Sequence, residues 1–378
     1  MSKNKIRVLF VTTVYENIDN GPGKFANLIA NNIDFRNIEL FILTNDVSIE
    51  SNKIIKLNLN KSLSKFGIFV RIYEISNKIA ELNDIYNFEI IWYNNVIDGL
   101  LATYKMKNVK HIGMINDDNS AKISFKNELF SYKYFRHKLF HFGELLSFNC
   151  YDKIIVNSKY LKNTLEKEYR PKQPKIEILY KSIEIHNKIF HLKPLEISNA
   201  IKIVFVKSDF IRGGLLVLIK ALNLLEYNFE LVVIGPSPEI LNKYNLKDKI
   251  NKNIRLINFG KQNQSEVFTI LKDCDIFCTP SLKEALGVSN MEALSFKIPV
   301  VYSNAGGINE VMNWGSNGFE SNAGDVKSLA KAIENCILNK KERISKTENG
   351  YNFIVNNFNK ERMFNEFEEI CKRVINGK

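Results

Sequence analysis

PSLKEALGVSNMEALSFKIPVVYSNAGGINEVM, residues 280–312, is the densest run of structural signals in the chain. A loop carries Glu284, the small-residue turn Ala285, Leu286, Gly287 follows, and a helix start comes next with Glu292 on it. Beyond it lie the buried-type strand IPVVYS and a turn at Gly306 and Gly307. Glycine at 287 lets a backbone approach a ligand closely, and a helix opening just past it presents unpaired N–H groups and the positive end of its dipole. A diphosphate suits such a place. Glu284, before the turn, then faces one end of the ligand, and Glu292, within the helix, the other. An ionised carboxylate offers several acceptor sites, which suits both positions to hydroxyl groups. Two glutamates at this spacing also occur by chance on a solvated helix. Pro280, Ser281, Gly287, the strand and the Gly-Gly-x-x-Glu give the block its specificity.

Composition sets the outer bounds. At 378 residues the chain has room for two domains. Its 45% apolar and 25% charged residues are those of a globular protein, not a disordered one. No apolar run reaches the about eighteen residues of a spanning helix. The opening MSKNKIRVLFVTTVY has a short, β-branched apolar run with no small-residue cleavage site after it, so a first sheet strand is expected and not a leader. Five scattered cysteines (Cys150, Cys274, Cys278, Cys336, Cys371) fit a reducing compartment and core packing. The expected location is the cytoplasm, with a peripheral place on the inner face of the cell membrane left open. Cys274 and Cys278 have no second Cys/His pair nearby, so no metal is expected. The formal net charge of +12 leans to the N-terminal half and admits nucleic acid, an anionic surface or an anionic ligand. Without a helix-turn-helix, finger or RNP signature, nucleic acid is not expected as a partner.

Short apolar strands alternate with amphipathic stretches, the pattern of parallel sheets covered by helices on both faces. Strands are predicted at 8–13, 38–44, 88–94, 109–115, 153–158 and 176–181, then at 201–206, 229–235, 254–260, 275–280 and 299–303. Each set reads as a doubly wound domain, 1–190 and 191–357, hinged within EIHNKIFHLKPLEISNA (184–200). In residues 358–378, Met363, Phe364, Phe367, Ile370 and Cys371 form a helical stripe. That helix either packs on its own domain or crosses back to the first.

Other residues carry chemistry by position. Gly21 and Gly23 stand between a strand and a helix, where loop amides approach phosphate or sugar. After strand 201–206, KSDFIRGGLL supplies Lys207 and Arg212; a guanidinium pairs bidentately with phosphate, an ammonium acts as a point charge. Gly235 closes a strand at the end where doubly wound sheets bind ligands. Asn116, Asp117 and Asp118 follow strand 109–115, and none of the five histidines stands in a ligand-pair spacing. Segments 122–146 and 61–73 interleave cations with aromatics. Either the aromatics fill the core, or the segments lie on an anionic membrane, where each near-surface cation contributes about 1 kcal/mol.

Pro280-Ser281, the Glu284/Glu292 pair, Gly287 and Gly306-Gly307-x-x-Glu310 together resemble the nucleotide-sugar half of the retaining GT-B glycosyltransferases of family 4, the glycosyl transferases group 1 marked by a Glu-x7-Glu pair. The likeness is strong over 201–335 and loose over the first half. It implies a GT-B fold, two Rossmann-like α/β domains facing across a cleft. It also implies roles: Glu284 on the donor sugar, Glu292 on the ribose, the Gly287 and Val288 amides at the diphosphate with Leu286 beside them in the donor site, and Arg212 on the leaving group. Gly21 and Gly23 match the group's N-terminal glycine loop, with Asn20 replacing its first glycine. Gly213 stands where the group usually carries lysine, leaving Lys207 as the second cation. Asn116, beside Asp117, stands where a histidine is common, and Lys181-Ser182 replaces an Asn-Gly.

The activity so implied is transfer, with retention, of a sugar from a UDP- or GDP-linked donor to an acceptor hydroxyl. The setting is bacterial cell-surface glycan assembly: capsule, lipopolysaccharide or lipid-linked oligosaccharide. The nucleotide sugar is a substrate; neither cofactor nor metal is expected. Two alternatives stand beside it. One is a non-catalytic accessory subunit, motivated by Gly213, Asn116 and Lys181-Ser182. The other is a sugar-nucleotide epimerase, for which the sequence offers no His/Asp/Glu acid-base set.

Overall fold

A computed structural model describes residues 5–16, 21–31, 37–48, 51–58, 67–120, 132–171, 175–185, 195–196 and 199–377. The chain forms two compact units, Met1–Lys181 with Glu361–Lys378, and Ser182–Lys360. The division therefore falls after Lys181, earlier than the expected 190, because the hydrogen bond from Ile183 N to Phe358 O already ties the chain to the second unit.

The first unit contains β1 (Ile6–Thr12), α1 (Gly21–Ala30), β2 (Ile38–Thr44), β3 (Ile54–Lys56), α2 (Gly67–Tyr86), β4 (Ile90–Tyr93), α3 (Val96–Lys105), β5 (Lys110–Ile115), α4 (Tyr132–Cys150), β6 (Lys153–Val156), α5 (Lys159–Tyr169) and β7 (Ile176–Ile178). Its sheet is parallel in the order β3-β2-β1-β4-β5-β6-β7. Successive β1 residues serve opposite faces: Val8 and Phe10 join α1, whereas Leu9 and Val11 join α2, α3 and α5. Both faces are covered, which is why the strands read as continuous apolar runs.

The second unit contains β8 (Ile201–Val206), α6 (Leu215–Leu222), β9 (Phe229–Ile234), α7 (Pro238–Lys243), β10 (Ile254–Gly260), α8 (Gln264–Lys272), β11 (Ile276–Thr279), α9 (Val288–Ser295), β12 (Val300–Ser303), α10 (Ile308–Val311), β13 (Phe319–Ser321), α11 (Val326–Leu338) and α12 (Lys340–Asn357). Its parallel sheet runs β10-β9-β8-β11-β12-β13, so the winding reverses between β8 and β11. Helix starts are chemically marked: Asn263 and Glu266 make a reciprocal capping box on α8, and Asp325 caps α11.

The last helix, α13 (Lys360–Ile375), serves the first unit. Met363, Phe367, Ile370, Cys371 and Val374 lie in the same apolar cluster as Val8, Phe25 and Trp92, with the Phe367 ring stacked 4.2 Å from that of Trp92. Short edge strands β3 and β13 were not among the sequence expectations. Gly21 and Gly23 also lie inside the first turn of α1, and not in the preceding loop. Asn20, residues 61–66 and residues 121–131 fall outside the described residues, and with them part of both basic-aromatic segments.

Candidate functional site

The second unit gathers most of the candidate residues at the carboxyl ends of β8, β9 and β11, on either side of the reversal where doubly wound sheets leave a crevice. Gly287 precedes α9 with φ 90° and ψ 50°, a left-handed conformation, and gives the helix no side-chain cap. A Cβ there would come within 2.8 Å of Asn290 Nδ2 and 3.1 Å of Ile308 Cγ1, so the turn requires glycine. The turn is held from beneath: Leu286 is buried, and the Thr279 hydroxyl donates to Asn290 Oδ1 across 2.5 Å. Helix α9 thus opens from a fixed point with its first amides uncapped, the arrangement that favours an anion.

Two carboxylates flank that opening. Glu284 pairs with Lys207, Nζ to Oε2, and its carbonyl accepts from Gly307 N at 3.0 Å. Glu292, on α9, is 6% exposed, and its Oε1 accepts from Gln264 Nε2 at 3.3 Å. Lys207 follows β8, its N–H donating to Ile234 O at 3.0 Å, and Gly235 at the end of β9 packs against its carbonyl. Arg212 lies on the loop before α6, its side chain about half exposed and 3.5 Å from Asp209 Oδ2. The carbonyl of Arg212 accepts from Leu282 N at 2.7 Å, which ties its loop to the one carrying Glu284. Val288 begins α9. The structure therefore assembles Lys207, Arg212, Gly235, Glu284, Leu286, Gly287, Val288 and Glu292 within one unit. Gln264, Thr279 and Asn290 support this group and were not singled out from sequence; an isolated amide or hydroxyl carries no spacing signal.

The remaining candidates belong to the first unit. The Lys181 ammonium lies 3.5 Å from where a Cβ on Gly21 would stand, at the start of α1, and 5.9 Å from the Phe25 ring centroid. Asn116 is engaged by its neighbours. Side-chain amides run across adjacent strand ends: Asn157 Nδ2 donates to Asn116 O (3.0 Å), Asn116 Nδ2 to Asn94 O (2.8 Å), and Asn94 Nδ2 to Thr12 Oγ1 (3.0 Å) and Pro22 O (3.2 Å). This donation fixes each amide's orientation and leaves three buried Oδ1 atoms with no partner among the described residues. Asp117 is exposed and accepts from Asn119 N at 2.9 Å, whereas Asp118 is buried and accepts from the Tyr160 hydroxyl at 3.0 Å.

Below that loop, buried Glu144 accepts from the Tyr169 hydroxyl at 2.6 Å. Burial pushes its pKa up to about 7; the bonds with Tyr169 and Ser120 pull it down, and Asp117 and Asp118 push it further up. Among the described residues no group of three or more His, Cys, Asp and Glu could hold a metal ion. No helix among them is long and apolar enough to cross a membrane.

Residues 187–353 match the family model described as glycosyl transferases group 1. An uncharacterised glycosyltransferase of Methanocaldococcus jannaschii is 24% identical over 84% of this chain and 85% of its own length. The capsular polysaccharide biosynthesis glycosyltransferase CapM of Staphylococcus aureus is 25% identical over 63% of this chain and 66% of its own. The crystal structure of Anabaena HepE in complex with UDP superposes with a TM-score of 0.73 at 16% identity, covering 97% of this chain and 100% of that one. With its two parallel sheets this chain has the GT-B fold, and its residues 187–353 carry the likeness to the glycosyl transferases group 1.

Proposed function

We propose that this glycosyltransferase moves a sugar, with retention of anomeric configuration, from a nucleotide diphosphate sugar to an acceptor hydroxyl in the assembly of a surface glycan. The observation that carries the reading is Gly287: left-handed, at the head of an uncapped α9, between a partly exposed Glu284 and a buried Glu292. The diphosphate takes the amides of Gly287 and Val288, Glu292 the ribose and Glu284 the sugar hydroxyls. Arg212 and Lys207 stabilise the charge that develops on the leaving diphosphate, so that positioning and fixed charge supply the rate and no metal is called for. The UDP held by Anabaena HepE and the capsular role named for CapM support this reading.

Losing one charge-assisted hydrogen bond costs about 1.5–3 kcal/mol, or roughly ten- to a hundredfold in affinity. Glu292→Ala is therefore expected to weaken nucleotide-sugar binding by that factor in calorimetry; unaltered affinity would withdraw the ribose assignment. The product's anomeric configuration, read by NMR, tests retention, and turnover in excess chelator tests metal independence.

We also propose that the first unit rests on an anionic membrane. Helix α3 packs between α2 and α4, and these three helices expose Phe69, Tyr73, Tyr104, Phe142 and Leu145. Phe140 of the same α4 packs against the core, so the aromatics of that helix divide between the core and the exposed face. Flotation with vesicles of anionic phospholipid is expected to carry the protein, and a Phe69→Ser, Phe142→Ser variant is expected to stay behind. Equal flotation of both removes the proposal.

A further inference from the structure

The Lys207–Glu284 ion pair occupies the site that the proposed donor must enter. Both side chains are mostly covered, at 26% and 19% exposure, and they neutralise one another. Their backbones are pinned. Lys207 is held by Ile234 O and by Gly235, where a Cβ would fall 2.6 Å from the Lys207 carbonyl; Glu284 is held through its carbonyl by Gly307 N. The lysine stem crosses directly over Gly213. A Cβ at 213 would come 2.9 Å from Lys207 Cγ, 2.7 Å from the Phe205 ring and 3.0 Å from Asp209 O. The absent side chain at 213 is the space through which Lys207 reaches Glu284. The contact can thus open by rotation of two long side chains while the backbone stays fixed.

The two groups answer to different parts of one ligand. An ammonium has affinity for a diphosphate, and a carboxylate for sugar hydroxyls. We propose that the pair is a partner-exchange latch: the intact donor satisfies both members as it separates them, whereas a nucleoside diphosphate satisfies Lys207 alone. The bare diphosphate leaves Glu284 unpaired, largely desolvated and beside added negative charge, a state that costs more than leaving either group in water. After transfer, the pair re-forms as the spent nucleotide departs. The inference rests on the donor-site reading above and adds a preference for the intact donor over the product.

Opposite signs at the two positions test it. UDP and GDP are titrated calorimetrically into the wild type, Glu284→Gln, Lys207→Met and the double variant. Removing the competing carboxylate is expected to tighten nucleoside diphosphate binding by about fivefold, the equivalent of a modest ion pair. Lys207→Met is expected to weaken it, and the double variant to behave as Lys207→Met, since no cation remains to be released. Glu284→Gln is also expected to weaken nucleotide-sugar binding, so the two ligands move in opposite directions. A merely structural pair would lower both affinities in both single variants, and that result overturns the latch. Unchanged diphosphate affinity in Glu284→Gln overturns it equally. A wild type that binds neither a nucleoside diphosphate nor a nucleotide sugar defeats the donor-site reading itself, and the latch with it.

Discussion

Burial strips the Glu144 carboxyl of water, and the hydrogen bonds with Tyr169 and Ser120 only partly compensate, so it titrates near about 7 where an ordinary glutamate does so near 4.5. Asp117 and Asp118 add to the rise, and His141, whose Nδ1 lies 3.3 Å from the Tyr169 hydroxyl, faces the same group. The sign follows from linkage. Between these two values the unfolded chain loses the proton while the folded one keeps it, so stability falls as pH rises through the window and stays reduced above it. At 1.36 kcal/mol per pKa unit the loss approaches about 3 kcal/mol. Glu144→Gln is expected to match the wild type near about pH 4 and to exceed it by that order near about pH 8, read by urea unfolding. Equal pH profiles for the two proteins would show that the proton is not held there. The two candidate carboxylates could be singled out because Glu284 and Glu292 sit at fixed offsets around Gly287, which is left-handed. What joins Lys207 to Glu284 was not: the two are 77 positions apart, and only the sheet order brings their strand ends together.

Elements were legible where the chain buries both faces of a strand. Segments 38–44 and 201–206 form as expected, because parallel strands covered on both sides are largely apolar runs. The three-residue strands β3 and β13 lie at sheet edges and are too short to carry such a run. Helix α13 shows the opposite limit: its stripe was plain in sequence, but a stripe does not say which sheet it covers. Here it covers the α1 face of the first sheet. Truncating a buried phenylalanine costs about 3–5 kcal/mol. Phe367→Ala is expected to destabilise the first unit by that amount and to leave the nucleotide binding proposed for the second unchanged. Each unit holds one of the two tryptophans, Trp92 buried and Trp314 63% exposed, so a Trp314→Phe background lets Trp92 fluorescence follow the first unit alone. A loss seen instead in nucleotide affinity would contradict the assignment of α13.

At the level of the whole chain, two strand sets announced two units, and the junction was misplaced by a few residues because 184–200 has no strand pattern to mark it. The charge balance, by contrast, admitted several partners and chose none. The return of α13 to the first unit has a consequence for how the protein is made. Residues up to 181 leave the ribosome before the second unit does, yet the α1 face of their sheet, which bears Trp92, is fully covered only after Met363, Phe367 and Val374 have been translated. At 5–20 residues per second that interval lasts roughly 10–40 s, during which the second unit emerges complete while the first waits with that face covered by α1 alone. The unit whose sheet is synthesised earlier is thus the later of the two to close.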